Sequence, residues 1–272
     1  TLTYEMTIPS DVSVSTVFRN TAAVASFTSA TNVDDGGTVP VATYYPEDNV
    51  SANVPADAVE VPAASDDSSV VVPDAVVAKS NLTDIVDTGN GASQAVIGET
   101  LTYTVAVTIP AHTSVYNGQL TDPMPTGLVF VGPASAAFSA TGASPAGSAL
   151  PSGVSLDAAT GTLSFGAAYA NDTDTDQRFE VTIPARMGTT ASNTDGTVRT
   201  NTATFRSDTA ASGGTAVPAR TATSTVTVVE PSPTLTKTRV PTATTVAGGS
   251  TVTYTLTAGN ASGRPVLHDT VV

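Results

Sequence analysis

Apolar and polar residues alternate along much of the chain, with a period of two. Residues 100–109 (TLTYTVAVTI) and 250–257 (STVTYTLT) show the pattern most clearly. β-Branched residues suit a pleated surface, and a period of two separates a buried face from a solvated one, so these segments are predicted to be half-buried β-strands. Glycine and proline recur between them at short intervals, as is typical of turns. The pattern therefore predicts an all-β protein.

The alternating segments belong to an internal repeat. Residues 77–110 (VAKSN…VIGETLTYTVAVTIP) return as residues 235–260 (LTKTR…VAGGSTVTYTLTAGN). The likeness continues into GQLTDPMP and PVLHDTVV, which aligns Asp122 with Asp269. A second pair, 179–205 and 4–27, aligns Asn201 with Asn20. A repeat of this length predicts tandem copies of one structural unit.

The repeat gives a domain map with one complete unit. Residues 1–74 are predicted to be the C-terminal part of a preceding β-sandwich unit plus a linker, residues 75–229 a complete β-sandwich, and residues 230–272 a linker with the N-terminal part of a following unit. The central unit is expected to have seven to nine strands in two packed sheets, as in an immunoglobulin-like sandwich. Units joined by short proline-containing linkers predict an elongated rod, and the chain is expected to be a piece of a longer tandem array.

Composition narrows the possible partners. The formal net charge is −14 and the sequence pI about 4.2, so the chain lacks the basic surface that a nucleic-acid phosphate backbone requires. Cysteine is absent, which excludes a disulfide framework and thiolate metal sites. No segment is apolar over the ~18 residues of a membrane span. These properties favour an extracellular protein at a cell surface, whose expected partners are neighbouring repeat units or identical subunits.

The two lysines of the chain are the strongest chemical signal. Lys79 and Lys237 occupy equivalent positions of the repeat, whereas the eight other basic side chains of the Lys and Arg type are all arginines. Burial lowers the pKa of an ammonium and raises that of a carboxyl, so an inward-facing lysine beside a carboxyl can be a neutral amine next to a neutral acid. A neutral amine is a nucleophile that can attack an asparagine carboxamide and release ammonia, which leaves an isopeptide bond.

The complete unit contains all three groups that this reaction needs. Lys79 lies on its first strand and Asn201 near its last strands, which a sandwich can bring together. Asp122 is the preferred assisting acid and Glu180 the alternative, because both lie in repeated segments. The neighbouring partial units carry Asn20 on one side and Lys237 with Asp269 on the other, as incomplete sites.

These pieces resemble the isopeptide-forming, Cna-type immunoglobulin-like repeats of bacterial fimbrial subunits and surface adhesins. In this chain the resemblance covers Lys79, GETLTYTV (98–105), DPMPTGLVF (122–130) and NTATF (201–205), in the order and spacing of that family. It implies a structural stalk or fibre domain of an adhesin, pilus or extracellular filament, with a Lys79–Asn201 bond that Asp122 assists. It implies no enzyme beyond a single self-cross-linking event, and no cofactor.

Two alternatives stay open. The first is a calcium- or carbohydrate-binding adhesin module, for which Asp172, Asp174 and Asp176 offer oxygen ligands in NDTDTDQ. The other interpretation of this acidic segment is a solvated loop. The second alternative is a surface-layer subunit with the same fold. The host, the anchor and any receptor are not predicted from the residues.

Overall fold

The computed structural model describes residues 1–9, 12–28, 31–32, 39–40, 43–46, 59–145, 148–267 and 271. Every regular element in these residues is a β-strand, which confirms the all-β prediction. The chain forms two compact units. The smaller comprises Ser15–Val72, and the larger comprises Thr1–Val14 together with Pro73–Val272. The three-part domain map of the repeat stays a prediction.

The smaller unit is built around one antiparallel pair. Its strands are β1 (Val17–Ala23), β2 (Phe27–Thr28), β3 (Thr31–Asn32), β4 (Val39–Pro40), β5 (Thr43–Pro46), β6 (Val59–Val61) and β7 (Ser65–Val71). β1 pairs with β7 over its whole length, so Asn20 lies opposite Ser68. The amide of Val72 donates to the carbonyl of Thr16 at 2.8 Å, which ties the two ends of the unit together.

The larger unit holds the remaining strands. They are β8 (Val76–Thr83), β9 (Gln94–Ala95), β10 (Thr100–Ile109), β11 (Thr113–Thr121), β12 (Leu128–Phe130), β13 (Ser135–Ser139), β14 (Ser155–Asp157), β15 (Thr162–Ser164), β16 (Ala168–Asn171), β17 (Gln177–Met187), β18 (Val198–Asp208), β19 (Arg220–Val228), β20 (Pro233–Val240) and β21 (Thr253–Asn260). The first sheet has the order β12-β17-β10-β8, with β13 also on β17. The second has the order β14-β15-β11-β18-β19-β9, with β16 also on β11. β20 and β21 form a separate hairpin.

The two sheets enclose one apolar core, as expected of a sandwich. Along β10 and β17 the inward residues are buried and the outward ones are partly exposed, as the alternating sequence predicts. Phe165 lies at the centre, with edge-on ring contacts to Phe179 at 4.7 Å and to Phe205 at 5.7 Å between centroids. Such contacts add to the burial of the rings, so this aromatic cluster contributes to the stability of the larger unit.

Two features differ from the sequence expectation. Three short strands, β9, β13 and β16, lie outside the segments that the sequence pattern marked as strands. Residues 12–14 also contribute to the core of the larger unit. Ser114 exchanges backbone hydrogen bonds with Val12 and Val14, and the Val14 side chain is only 1% exposed. Local sequence carries no signal for so distant a pairing.

Candidate functional site

β8 brings a lysine into the interior of the sandwich. It is the edge strand of the first sheet, and every second residue faces the second sheet. Lys79 occupies one of these inward positions opposite Val105 of β10, and its side chain is 0% exposed. A lysine side chain is rarely buried unless it is paired, so this position requires a partner.

The second sheet supplies that partner and a carboxamide. Asp122 directly follows β11, and its side chain is 1% exposed. Asn201 lies within β18 and is fully buried. The structure thus brings together the three residues that the sequence assigned to one site, from a different strand or strand end in each case.

One carboxylate oxygen connects the three side chains. Lys79 Nζ donates to Asp122 Oδ2, and Asn201 Nδ2 donates to the same oxygen at 3.2 Å. The amine and the carboxamide therefore share one carboxylate oxygen as their acceptor. Asp122 Oδ1 and Asn201 Oδ1 are buried and have no hydrogen-bond partner among the described residues. Unpartnered buried oxygens are uncommon, so the hydrogen bonds of the described residues do not fully satisfy this cluster.

An apolar wall surrounds these polar groups. Lys79 Nζ lies 4.4 Å from the centre of the Tyr103 ring, and Asn201 Nδ2 lies 4.0 Å from the sulfur of Met124. The sequence predicts no role for either residue. The repeat does align Tyr103 with Tyr254. At the rim, Ser224 Oγ donates to Asn81 Oδ1 and links β19 to β8.

Burial shifts the pKa values of Lys79 and Asp122 in the directions that favour their neutral forms. Desolvation lowers the pKa of Lys79, and the charge and hydrogen bond of Asp122 oppose this only in part. Desolvation likewise raises the pKa of Asp122 against the opposing effects of Lys79 and Asn201. The pKa of Tyr103 is also raised, first by burial and then by the charge of Asp122. Both pKa shifts therefore run in the direction of an uncharged amine beside an uncharged acid.

Glu180, the alternative acid, lies elsewhere. It is on β17 opposite Ala106, at a position that alternates with the buried Phe179 and Val181. Its carboxylate pairs with Arg178 at 3.0 Å, and its side chain is 19% exposed. The structure places Asp122, and not Glu180, in contact with Lys79.

The described residues of the predicted partial sites lie on exposed strands. Lys237 lies on β20 with its Nζ 4.7 Å from the centre of the Tyr254 ring, and the strand is exposed on both faces. Asn20 lies on β1. Asp269 lies outside the described residues, so its predicted role stays a prediction.

The acidic segment after β16 forms local contacts. Asp174 is 97% exposed and pairs with His112 at 2.9 Å, and Asp176 accepts a hydrogen bond from the amide of Ala111 at 3.1 Å. Within the described residues, no group of three or more histidine and acidic side chains has a metal-binding arrangement. Calcium binding by Asp172, Asp174 and Asp176 stays a prediction.

Comparisons with known proteins give structural likeness alone. No family model matches the chain, and no curated protein matches it in sequence. Three similar solved structures are pilus proteins. The major pilin subunit BcpA of Bacillus cereus is 12% identical over 80% of this chain and 62% of its own, with a TM-score of 0.39. The pilus backbone RrgB of Streptococcus pneumoniae is 18% identical over 50% and 31%, with a TM-score of 0.35. The major pilin SpaD of Corynebacterium diphtheriae is 12% identical over 69% and 48%, with a TM-score of 0.37.

The chain spans less than two thirds of the length of each of these proteins. In the part of the chain that the structure describes, no helix has the length and apolar character to cross a membrane.

Proposed function

We propose that the chain is a structural repeat segment of a bacterial surface stalk, pilus or extracellular fibre, and that its central unit cross-links itself through Lys79 and Asn201. The observation that carries the proposal is the shared contact of Lys79 and Asn201 with one oxygen of Asp122, inside an apolar sandwich. The tandem repeat of the same lysine, acid and asparagine positions supports a fibre-forming role.

The chemistry follows from the arrangement of the three groups. The neutral Lys79 amine attacks Cγ of Asn201, so that an Nζ–Cγ bond forms. Asp122 accepts a proton from Nζ and delivers one to Nδ2, which it already contacts. The Cγ–Nδ2 bond then breaks, and Nδ2 leaves as ammonia. The amide product is uncharged, so burial no longer disfavours it as it disfavours a charged pair.

The intact mass of the denatured chain tests the cross-link. We expect the measured mass to be lower than the sequence mass by one ammonia, and digestion to give one branched peptide that joins the segments around Lys79 and Asn201. Lys79→Arg should restore the full sequence mass of that variant. Lys237→Arg is the matched control, because it changes the equivalent exposed lysine and should leave the deficit unchanged. A wild-type mass equal to the sequence mass would show that the bond does not form.

A further inference from the structure

Two neighbouring inward positions of β8 face two neighbouring inward positions of the second sheet. Lys79 and Asn81 are two residues apart, so they lie on the same face of β8. Asn201 on β18 lies directly opposite Ser224 on β19, and both are on the inward face of their sheet. Asp122 connects Lys79 with Asn201, and Ser224 Oγ donates a hydrogen bond to Asn81 Oδ1. The side chain of Asn81 is therefore held next to the carboxamide of the proposed cross-link.

The hydrogen bond from Ser224 determines which end of the Asn81 carboxamide stays available. Ser224 Oγ contacts Oδ1, which leaves Nδ2 with its two N–H groups. This Nδ2 is buried and has no hydrogen-bond partner among the described residues. Residues directly opposite in antiparallel strands have Cβ atoms about 4.5–5.5 Å apart, so Ser224 brings Asn81 within side-chain reach of Asn201. A buried donor without an acceptor destabilises a fold, so its presence requires a reason other than stability.

The carboxamide of Asn201 offers an acceptor for this donor. Its Nδ2 contacts Asp122, whereas its Oδ1 is buried and has no partner among the described residues. When the Lys79 amine adds to Cγ of Asn201, an electron pair of the carbonyl moves to Oδ1, which gains negative charge. A hydrogen-bond donor at this oxygen stabilises the charge, and an asparagine amide is one of the groups that do so in acyl transfer. Asp122 already contacts the nitrogen of the carboxamide, so the oxygen requires a second group.

We propose that Asn81 Nδ2 donates a hydrogen bond to Asn201 Oδ1 during cross-linking, and that Ser224 holds Asn81 in the orientation that this requires. The proposal rests on the proposed bond between Lys79 and Asn201. The contact forms as Oδ1 becomes negative, since catalytic hydrogen bonds often tighten only in the transition state. When the Cγ–Nδ2 bond breaks and ammonia leaves, the electron pair returns from Oδ1 and the carbonyl of the new amide forms. No proton leaves Asn81, so Asp122 alone transfers protons.

The rate of cross-linking tests the role of Asn81. The chain is synthesised in a cell-free system, synthesis is stopped, and the fraction that has lost one ammonia is measured over time by intact mass under denaturing conditions. Asn81→Leu has a similar volume but no donor, and it should slow the reaction by about 100-fold, as the loss of one such donor does elsewhere. Protease resistance of the same samples reports folding, and in this variant it should appear long before the mass changes.

A second variant, Ser224→Ala, tests whether Ser224 acts through Asn81. It keeps the donor but removes the group that orients it, so it should slow cross-linking by about tenfold, as expected for the loss of one hydrogen bond. In the Asn81→Leu background the same replacement should have no further effect, because effects of residues in direct contact are not additive. Thr225→Ala is the matched control. It removes a hydroxyl from the exposed face of the same strand and should react like the wild type.

The possible outcomes separate this proposal from the cross-link itself. A wild-type chain that never loses ammonia would exclude the reaction, and the role of Asn81 with it. If the wild type loses ammonia and Asn81→Leu does so at the same rate, the cross-link stands and the role of Asn81 is wrong. A slower mass change that only follows slower protease resistance would show that Asn81 acts on folding alone. An undiminished effect of Ser224→Ala in the Asn81→Leu background would show that Ser224 does not act through Asn81.

Discussion

Lys79 and Lys237 occupy equivalent positions in two pairs of strands with the same register, yet Lys79 is buried and Lys237 is exposed. Each lysine lies opposite an apolar residue of the partner strand, and each ammonium lies over a tyrosine ring, at 4.4 Å and 4.7 Å. The Lys79 side chain is 0% exposed and paired with Asp122, whereas β20 and β21 are exposed on both faces.

The difference shows that the second sheet, and not the hairpin, sets the environment of the lysine side chain. The hairpin alone supplies the position and the tyrosine, and both lysines have these. The second sheet supplies Asp122, Asn201 and the exclusion of water, and Lys79 alone has these. The proposed cross-linking reaction therefore depends on the closed sandwich, because the hairpin supplies only the lysine and the tyrosine.

We expect the largest effect on the free energy of unfolding from the removal of the Asp122 carboxylate. We expect Asp122→Ala to lower the free energy of unfolding by about 3–5 kcal/mol, because it leaves the buried Lys79 without a partner. The measurement is urea unfolding in an Asn201→Ala background, where no cross-link can form. The double replacement Lys79→Met with Asp122→Leu should recover part of the loss. A loss below about 1 kcal/mol would mean that Lys79 reaches solvent as readily as Lys237.

A pH series should reveal the buried amine once its acid is gone. In Asp122→Asn, burial still lowers the pKa of Lys79, while the effects of Asp122 that raise it are lost. The folded state then binds fewer protons than the unfolded state between the lowered pKa and 10.5. The free energy of unfolding should therefore rise with pH in this window, by up to about 1.4 kcal/mol per unit. Urea unfolding in the Asn201→Ala background measures the slope.

The complementary variant, Lys79→Met, should reverse the sign of the pH dependence of the free energy of unfolding. In Lys79→Met, burial raises the pKa of Asp122, so the folded state binds more protons than the unfolded state above 3.8. The stabilisation is complete below 3.8 and is lost as the pH rises through the raised pKa. A slope of the same sign in both variants would contradict the assignment of the two pKa shifts.

Replacing Glu180 should have a smaller effect. Its ion pair with Arg178 is about one-fifth exposed and lies away from Lys79, so Glu180→Ala should cost about 1 kcal/mol or less. Its intact mass should keep the deficit of one ammonia, whereas Asp122→Ala should lose the deficit. The reverse result would make Glu180 the assisting acid.

We expect the smallest effect on the free energy of unfolding from replacement of the exposed lysine, Lys237. Lys237→Ala should change the free energy of unfolding by about 0.5 kcal/mol or less, as is usual for surface substitutions. Lys79→Ala, measured in parallel by urea unfolding, should cost several times more. Similar losses would show that the two environments are energetically alike.

Much of the site could be predicted because its residues lie in long, regular strands. The repeat singled out Lys79, Asp122 and Asn201, and Lys79 and Asn201 were predicted to lie on the first strand and near the last strands of the unit. The assisting acid could not be chosen from the repeat, since Glu180 has its own counterpart in Glu5. The structure separates the two acids by their position, because Glu180 lies on the outward face of β17.

Other features depend on long-range packing. The insertion of Val14 beside Ser114 and the contact of Met124 with Asn201 join residues that no local pattern connects. The short strands β9, β13 and β16 form because longer neighbours offer them free edges, so their own composition gave no indication of them.

The positions of Lys79 and Asn201 near the two ends of the central sandwich have a consequence for a chain under load. If the proposed Lys79–Asn201 amide forms, tension applied through the segments before β8 and after β19 would reach residue 79 and pass through that amide directly to residue 201. Every residue between these two would carry no force. At about 3.3–3.6 Å per extended residue, a length on the order of 400 Å would stay folded. Only the short segments outside residues 79–201 could lengthen, so the unit would extend very little under load.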